Sequence, residues 1–576
     1  MRLAPPLAAA PAAAPSASNA RRTALAPVAW TLIALAAAVA AQARFGAIAD
    51  VSWMITICEK WLDGAVPYVD FIETNPPAAI LLYLPPVALA RLLGAHPEFM
   101  VAAWGFAACA ASLAAAATIL ERAGLAETRN GGALGAALFA FALLPGRAFD
   151  ERDFFVVVLA LPALAATAAR AVGAPPAQRW VVASGLCMAA VVAVKPPYAL
   201  LFVGPAAYLV ARQGFAAALR APEYGLAAAA AVVYAGMVAW LCPAYLSDVA
   251  PAVVAAYLPV RESARELVAN AAVVGFVAAA AALAHVVGRG WRAPLVAMPA
   301  LAALGGLATF FIQGKGWLYQ AYPALALLAL AFGAALDRRP ARPRRLAVLA
   351  AVGAATALVG AATPLPPFAA AIVVALVGGG GLVIVGDGAL AAAERETRLV
   401  EIAAAALAGA LWGFFVAPPN APGADFVRAV EALGPHPRLA AIAEGSGVGF
   451  PLVRQVGGVW VQRSQGLLLA SGAWRLIDQR PGDAALAARL APIIAADRDR
   501  LAEDIVHNRP EGILVNRGSP RFRQWAMSEA GLAAALAGYA LATSSGAADW
   551  TIDLYVRKGE IGLRGSLAES AETSTP

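Results

Sequence analysis

Of the 576 residues, 61% are hydrophobic and only 14% are charged, against roughly 25% charged in an ordinary soluble domain. That balance excludes a soluble globular fold and calls for lipid as solvent. The net charge of +7 comes largely from arginines gathered in short clusters between apolar runs, which is the positive-inside pattern and not a nucleic-acid surface.

In chain order, residues 1–23 are rich in Ala and Pro, end near Arg21-Arg22, and read as a disordered cytoplasmic amino terminus. The apolar run that follows has no clean cleavage site and reads as a retained anchor. Further apolar runs occupy 99–120, 131–146, 154–172, 180–194, 198–213, 224–245, 267–287, 294–312, 318–336, 346–362, 367–385 and 400–417. Most are long enough to cross a hydrocarbon core of roughly 30 Å as a helix. Their continuous rather than alternating apolarity excludes a barrel. Basic clusters at Arg122 to Arg129, Arg170 to Arg179, Arg212 to Arg220, Arg289 to Arg292, Arg338 to Arg345 and Arg395 to Arg398 mark the cytoplasmic turns.

Residues 75–93 look like a span but would reverse the parity of every later loop. Pro85-Pro86 removes two amide donors inside the segment, so it reads as a helix break in a re-entrant or interfacial hairpin. The fold class that follows is mainly α: a polytopic helical membrane protein of about 13 spans, amino terminus inside and carboxyl terminus outside. The membrane module covers 24–418, with a first outside loop at 44–77. After Pro418-Pro419-Asn420 the charge density becomes ordinary, and 419–576 read as a small extracytoplasmic α/β domain. Within it Ala496 to Ile505 suggests a helix, and Gly512 to Val515 and Trp550 to Val556 suggest strands.

Charges at the outer ends of spans are costly and need an explanation. The first outside loop carries five carboxylates: Asp50, Glu59, Asp63, Asp70 and Glu73. Asp50 opens an amphipathic stretch, Val51 to Leu62, where it is either a helix N-cap or a base for a hydroxyl proton. The cluster Arg147, Asp150, Glu151, Arg152, Asp153 is either a salt-bridged helix cap or an anion site in which Arg152 or Arg147 meets phosphate. Lys195 and Lys315 also fall at outside ends, as headgroup anchors or phosphate ligands. Tyr319 accompanies Lys315 in Gln313-Gly314-Lys315-Gly316-Trp317-Leu318-Tyr319. The four histidines and four cysteines show no metal-ligand or disulfide spacing.

Taken together, the early Asp50, then Asp63-Gly64-x-x-Pro67-Tyr68-x-Asp70, Pro76-Pro77, Arg152-Asp153 and the Lys315-Gly316-Trp317-x-Tyr319 element resemble the GT-C superfamily of polyprenyl-phosphate-sugar glycosyltransferases. The pattern is similar to bacterial relatives of the protein O-mannosyltransferases and the lipid A aminoarabinose transferase, over roughly residues 24–335. The resemblance implies a bacterial inner-membrane enzyme that moves a sugar from a polyprenyl-phosphate donor to a hydroxyl acceptor, whether glycan, lipid or protein, on the extracytoplasmic face. Asp50 then falls on the catalytic acid, and Glu73, Asp150, Arg152, Asp153, Lys195, Lys315 and Tyr319 on substrate-binding positions. No cofactor is required, although the carboxylates leave Mg²⁺ or Ca²⁺ open. Three departures stand out: Asn75 where relatives have Lys before Pro-Pro, Phe154 in the third place of Arg-Glu-His, and Gln320 where relatives have His. A lipid-linked sugar flippase or an envelope polysaccharide assembly factor are the competing classes.

Overall fold

A computed structural model describes residues 35–36, 38–40, 47–125, 131–337, 406, 422–516, 518, 520–547 and 550–558. Helix α1, Ala49–Leu62, runs along the first loop and is followed by two short helices, α2 at Pro77–Leu81 and α3 at Leu84–Leu93. The break between them lies at Leu82 and Tyr83, ahead of Pro85-Pro86 and not at it. Those prolines occupy the first turn of α3, where the amides have no intrahelical acceptor and a missing N–H costs nothing.

Next come α4 at Pro97–Arg122, α5 at Gly131–Leu138, which continues through a π-helical turn to Leu143, α6 at Arg152–Ala171, α7 at Gln178–Val194 and α8 at Leu200–Gln213. Helices α9 at Pro222–Leu241, α10 at Ala271–Val287, α11 at Pro294–Gln313 and α12 at Leu318–Asp337 complete the described membrane body. Five of these, α4, α6, α9, α11 and α12, are long and apolar enough to cross a bilayer. Helices occur in nine of the 13 expected runs; 24–43, 346–362, 367–385 and 400–417 lie, apart from isolated helical residues, outside the described residues.

Helix α6 is the hub, buried along almost its whole length and packed against α4, α7, α8, α11 and α12. Its internal Pro162 lacks the N–H that would bond the carbonyl of Val158. Ser112 of α4 donates to that carbonyl instead, so the orphaned acceptor becomes an interhelical bond.

The carboxy-terminal domain is a five-stranded sheet in the order β2-β1-β3-β5-β4, formed by β1 Arg438–Ile442, β2 Val459–Trp460, β3 Gly512–Asn516, β4 Tyr539–Ala547 and β5 Trp550–Arg557. β1 pairs in parallel with both β2 and β3, while β3, β5 and β4 are antiparallel. Two of these strands and the long helix α14, Ala484–Asn508, lie where the sequence suggests; the helix is longer than the expected Ala496 to Ile505. Ala440, Ile442, Ile513 and Val515 face α14 and α13, Leu468–Gln479, while Leu439, Ala441 and Leu514 join the core that continues into α1.

Several contacts dock this domain on the first loop. The Ile72 amide donates to the Arg463 carbonyl at 2.7 Å, and Lys60 Nζ to the Gln462 carbonyl at 2.8 Å. Arg454 reaches Glu59 at 2.6 Å and Glu98 at 2.5 Å. The Phe450 ring wedges between Trp53, at 5.6 Å, and Trp460, at 4.9 Å.

Candidate functional site

Docking the sheet domain over the membrane helices encloses a cavity of about 1190 Å³. Asp50, Arg147, Arg152, Lys195, Lys315 and Tyr319 line it from the membrane side, and Glu444, Ser446 and Arg475 from the sheet domain. The volume exceeds the usual few hundred to 1,000 Å³ of small-ligand sites, which suits two substrates at once.

Asp50 is not an N-cap. Ile48 holds the cap position with no side-chain bond, and Asp50 stands inside the first turn of α1. Its carboxylate therefore points across the cavity. Oδ2 accepts from Arg152 Nη2 at 3.1 Å, and Oδ1 accepts from the Ser446 hydroxyl at 2.9 Å. Arg152 is the first residue of α6, so its guanidinium emerges where the helix enters the body.

Two more carboxylates converge on Arg152. Glu73 Oε1 lies 3.9 Å from Nη1 and Glu151 Oε2 lies 3.7 Å from Nε. Glu73 is fully buried behind the arginine and does not line the cavity. It accepts from Trp53 Nε1 at 2.6 Å and from the Asn75 amide at 2.8 Å, which holds it beside Arg152 and away from the cavity surface. Glu151 is the N-cap of α6, its side chain accepting from the Arg152 amide at 3.2 Å. Burial, reinforced by Asp50 and opposed by Arg152, pushes its carboxyl above the ordinary range.

Asp150 does not line the cavity, contrary to the expectation that it binds substrate. Its backbone is left-handed, with φ 62°, and its side chain turns into α4 over Gly105. A Cβ at Gly105 would sit 2.0 Å from Asp150 Oδ1, so only glycine allows this approach. Burial and the neighbouring Glu151 hold the Asp150 carboxyl far above the usual carboxylate range. Its carbonyl accepts from the Tyr83 hydroxyl at 2.6 Å.

The two lysines differ in their surroundings. Lys195 caps the end of α7, where the antiparallel α6 brings Asp153 to 2.5 Å. Asp153 also accepts from the Tyr198 hydroxyl and is fully buried, so it neutralises Lys195 from behind. The Lys195 ammonium lies 5.3 Å from the centre of the Tyr319 ring, a cation–π distance. Lys315 sits between α11 and α12, with Gly314 and Gly316 on either side at positive φ, a turn that β-carbons would strain. Its ammonium donates to the carbonyls of Tyr257, at 2.6 Å, and Val260, at 2.5 Å. Among the described residues it has no carboxylate partner within 4.0 Å. Burial, with Arg261 and Arg475 nearby, pushes its pKa down to about 8.

Thus Asp50, Arg152, Lys195, Lys315 and Tyr319 meet in one cavity, whereas Glu73, Asp150 and Asp153 stand behind it. Sequence reasoning missed Ser446, Glu151 as the α6 cap, and the pairing of Lys195. The run Gly445-Ser446-Gly447-Val448-Gly449 marks a turn but carries no sign of the Asp50 partner. Among the described residues no three or more His, Cys, Asp or Glu side chains are arranged to hold a metal ion; the carboxylates gather round Arg152 instead.

No family model matches the chain, and no curated protein matches it. Two solved structures do: ArnT from Cupriavidus metallidurans bound to undecaprenyl phosphate, at 16% identity with a TM-score of 0.52, covering 94% of this chain and 98% of that one. The apo form of the same protein matches at 17% identity with a TM-score of 0.51, covering 92% and 98%. At these identities the likeness is one of fold. The chain shares the fold of ArnT over nearly its whole length.

Proposed function

We propose that this protein is a membrane glycosyltransferase that moves a sugar from a polyprenyl-phosphate donor to a hydroxyl acceptor at the outer face of a bacterial inner membrane. The observation that carries the reading is the single cavity in which the Asp50 carboxylate faces Arg152 while the Lys315 ammonium stands without a carboxylate partner among the described residues. A base and an unneutralised cation across one space are what a displacement at a glycosyl phosphate needs. ArnT, which shares the fold, has been crystallised with undecaprenyl phosphate, which supports a polyprenyl-phosphate partner here.

In this scheme Asp50 takes the proton from the acceptor hydroxyl, whose oxygen attacks the anomeric carbon as the bond to the phosphate oxygen breaks. The phosphate leaves with the electron pair, and its charge is met by Lys315 and by Arg152, an arrangement that stabilises charge where it develops. The steps use protein groups alone and need no cofactor. A transporter places its charged groups near the bilayer midplane on broken helices; here they gather at helix ends beneath the sheet domain, which favours the enzyme.

Asp50→Asn keeps the size of the side chain and an acceptor for Arg152 but removes the base. Reconstituted in vesicles, this variant should insert normally and lose polyprenyl-phosphate release by at least about a hundredfold, the general-base contribution. Full turnover in the variant would overturn the assignment.

A further inference from the structure

The Ser446 hydroxyl comes from the sheet domain, 396 residues along the chain from Asp50, and reaches Oδ1 at 2.9 Å inside the cavity. Arg152 occupies the other carboxylate oxygen. An acceptor hydroxyl activated by Asp50 needs the same hydrogen-bond position that Ser446 now fills. We propose that Ser446 is an internal stand-in for the acceptor hydroxyl, a specificity-determining cover over Asp50 that a true acceptor must displace. The proposal rests on the reading of Asp50 as the base.

The surrounding segment is anchored at both ends. At one end the carbonyl of Ala443 accepts from the Leu467 amide at 2.7 Å. At the other, Phe450 is wedged between two tryptophans, and a Cβ at Gly449 would meet the Trp460 ring at 2.6 Å. Between them Gly445 and Gly447 have open space where a β-carbon would stand. Ser446 opens a short 3-10 turn, Ser446–Val448, and its carbonyl accepts from the Phe450 amide at 2.9 Å, so the hydroxyl bond to Asp50 is one of the bonds that hold this turn. Among the described residues, the one side-chain hydrogen bond the Ser446 hydroxyl makes is to the carboxylate assigned as the base.

The consequence concerns water. With the cover in place, Ser446 fills one of the lone-pair positions on Asp50 Oδ1 that a water would otherwise take. Without it, water donates its proton to Asp50 and its oxygen attacks the anomeric carbon, releasing free sugar and polyprenyl phosphate. The cover thus suppresses wasteful hydrolysis of the donor while the acceptor is absent, and serine is suited to this because it presents the same functional group as the acceptor.

The test compares full-length wild type with Ser446→Ala, Ser446→Thr and Asp50→Ala in phospholipid nanodiscs. Hydrogen–deuterium exchange of residues 444–451 is read first, because it does not depend on any activity. Ser446→Ala and Asp50→Ala should each speed exchange by about tenfold, as expected for a lost local closure, and Ser446→Thr should restore it. Unchanged exchange in both variants overturns the cover. The second readout is release of polyprenyl phosphate, without acceptor, from radiolabelled undecaprenyl-phosphate mannose, glucose and aminoarabinose. Ser446→Ala should raise it several-fold over wild type, and the conservative Ser446→Thr should not. Equal loss of hydrolysis and transfer in Ser446→Ala, or a sugar found on Ser446 by mass spectrometry, also overturns the proposal. If no variant, wild type included, releases polyprenyl phosphate with or without acceptors, the transferase reading fails, and the exchange data still decide whether Ser446 closes over Asp50.

Discussion

On the proposed reading, the partners of each cation rank Lys315 ahead of Arg152 and Lys195 as the charge left for the phosphate. Arg152 faces three carboxylates, at 3.1, 3.7 and 3.9 Å, and Lys195 is matched by Asp153 at 2.5 Å. Lys315 spends two of its three N–H donors on the carbonyls of Tyr257 and Val260 and lies 4.2 Å from the centre of the Tyr257 ring, which keeps one donor and a charge with no ion-pair partner among the described residues for a ligand. A hydrogen bond to a charged group contributes ~1.5–3 kcal/mol. At 1.4 kcal/mol per factor of ten, Lys315→Met should weaken undecaprenyl phosphate binding roughly ten- to a hundredfold, while Lys315→Arg keeps most of it.

The same lysine gives a pH signature. Burial and its cationic neighbours hold it down at about 8, so it is charged below that value and neutral above it. Affinity for the phosphate should fall as pH rises through 8, and the fall should shift upward once the bound anion favours the charged form. The phosphate itself ionises near pH 6, below a titration from pH 7 to 10 read by tryptophan quenching or native mass spectrometry, and the same titration of Lys315→Met separates this lysine from Lys60 and Glu151, which are also held at about 8. Stability moves the other way. The unfolded chain holds its proton up to the ordinary lysine value of 10.5, so between 8 and 10.5 it binds more protons than the folded state, and this group's contribution to stability rises with pH. Binding by Lys315→Met within twofold of wild type, or a flat wild-type affinity from pH 7 to 10, would refute the argument.

Two structural predictions follow from the elements that hold the site. Gly105→Ala should cost ~1–3 kcal/mol of stability, the usual range for overpacking, because its Cβ falls 2.0 Å from Asp150 Oδ1. Asp150→Gly removes that oxygen and suits the positive φ, so the double variant should melt closer to wild type in detergent; an additive loss would mean the two residues are not in contact. Lys195→Met strands the fully buried Asp153 and should cost ~3–5 kcal/mol, and adding Asp153→Leu should recover most of it. Equal melting of the single and double variants would show that the pair is not formed.

What the sequence could disclose was decided by the cost of charge in lipid. Arg152, Lys195 and Lys315 stand at the ends of apolar helices, where an unexplained cation is conspicuous, and the structure gathers all three at one cavity. The parallel strand β1 was less legible, since the four apolar residues after Arg438, with no alternation, read equally well as helix. Pro85-Pro86 pointed to a helix interruption, but a proline pair suits the first turn of a helix as well as a break, and here it opens α3. Ser446 was out of reach because its partner lies 396 residues away, and no local period encodes that approach. The same limit applies to the paired lysines. On sequence Lys315 stands out from Lys195 by its neighbours Gln313, Trp317, Tyr319 and Tyr322, but neither lysine shows its partner. Only the antiparallel packing of α6 on α7 brings Asp153 to Lys195, while the glycine-flanked turn between α11 and α12 turns Lys315 toward carbonyls instead. Position along a span identifies a charge as functional; its partners across the fold decide which charge is left to act on a ligand.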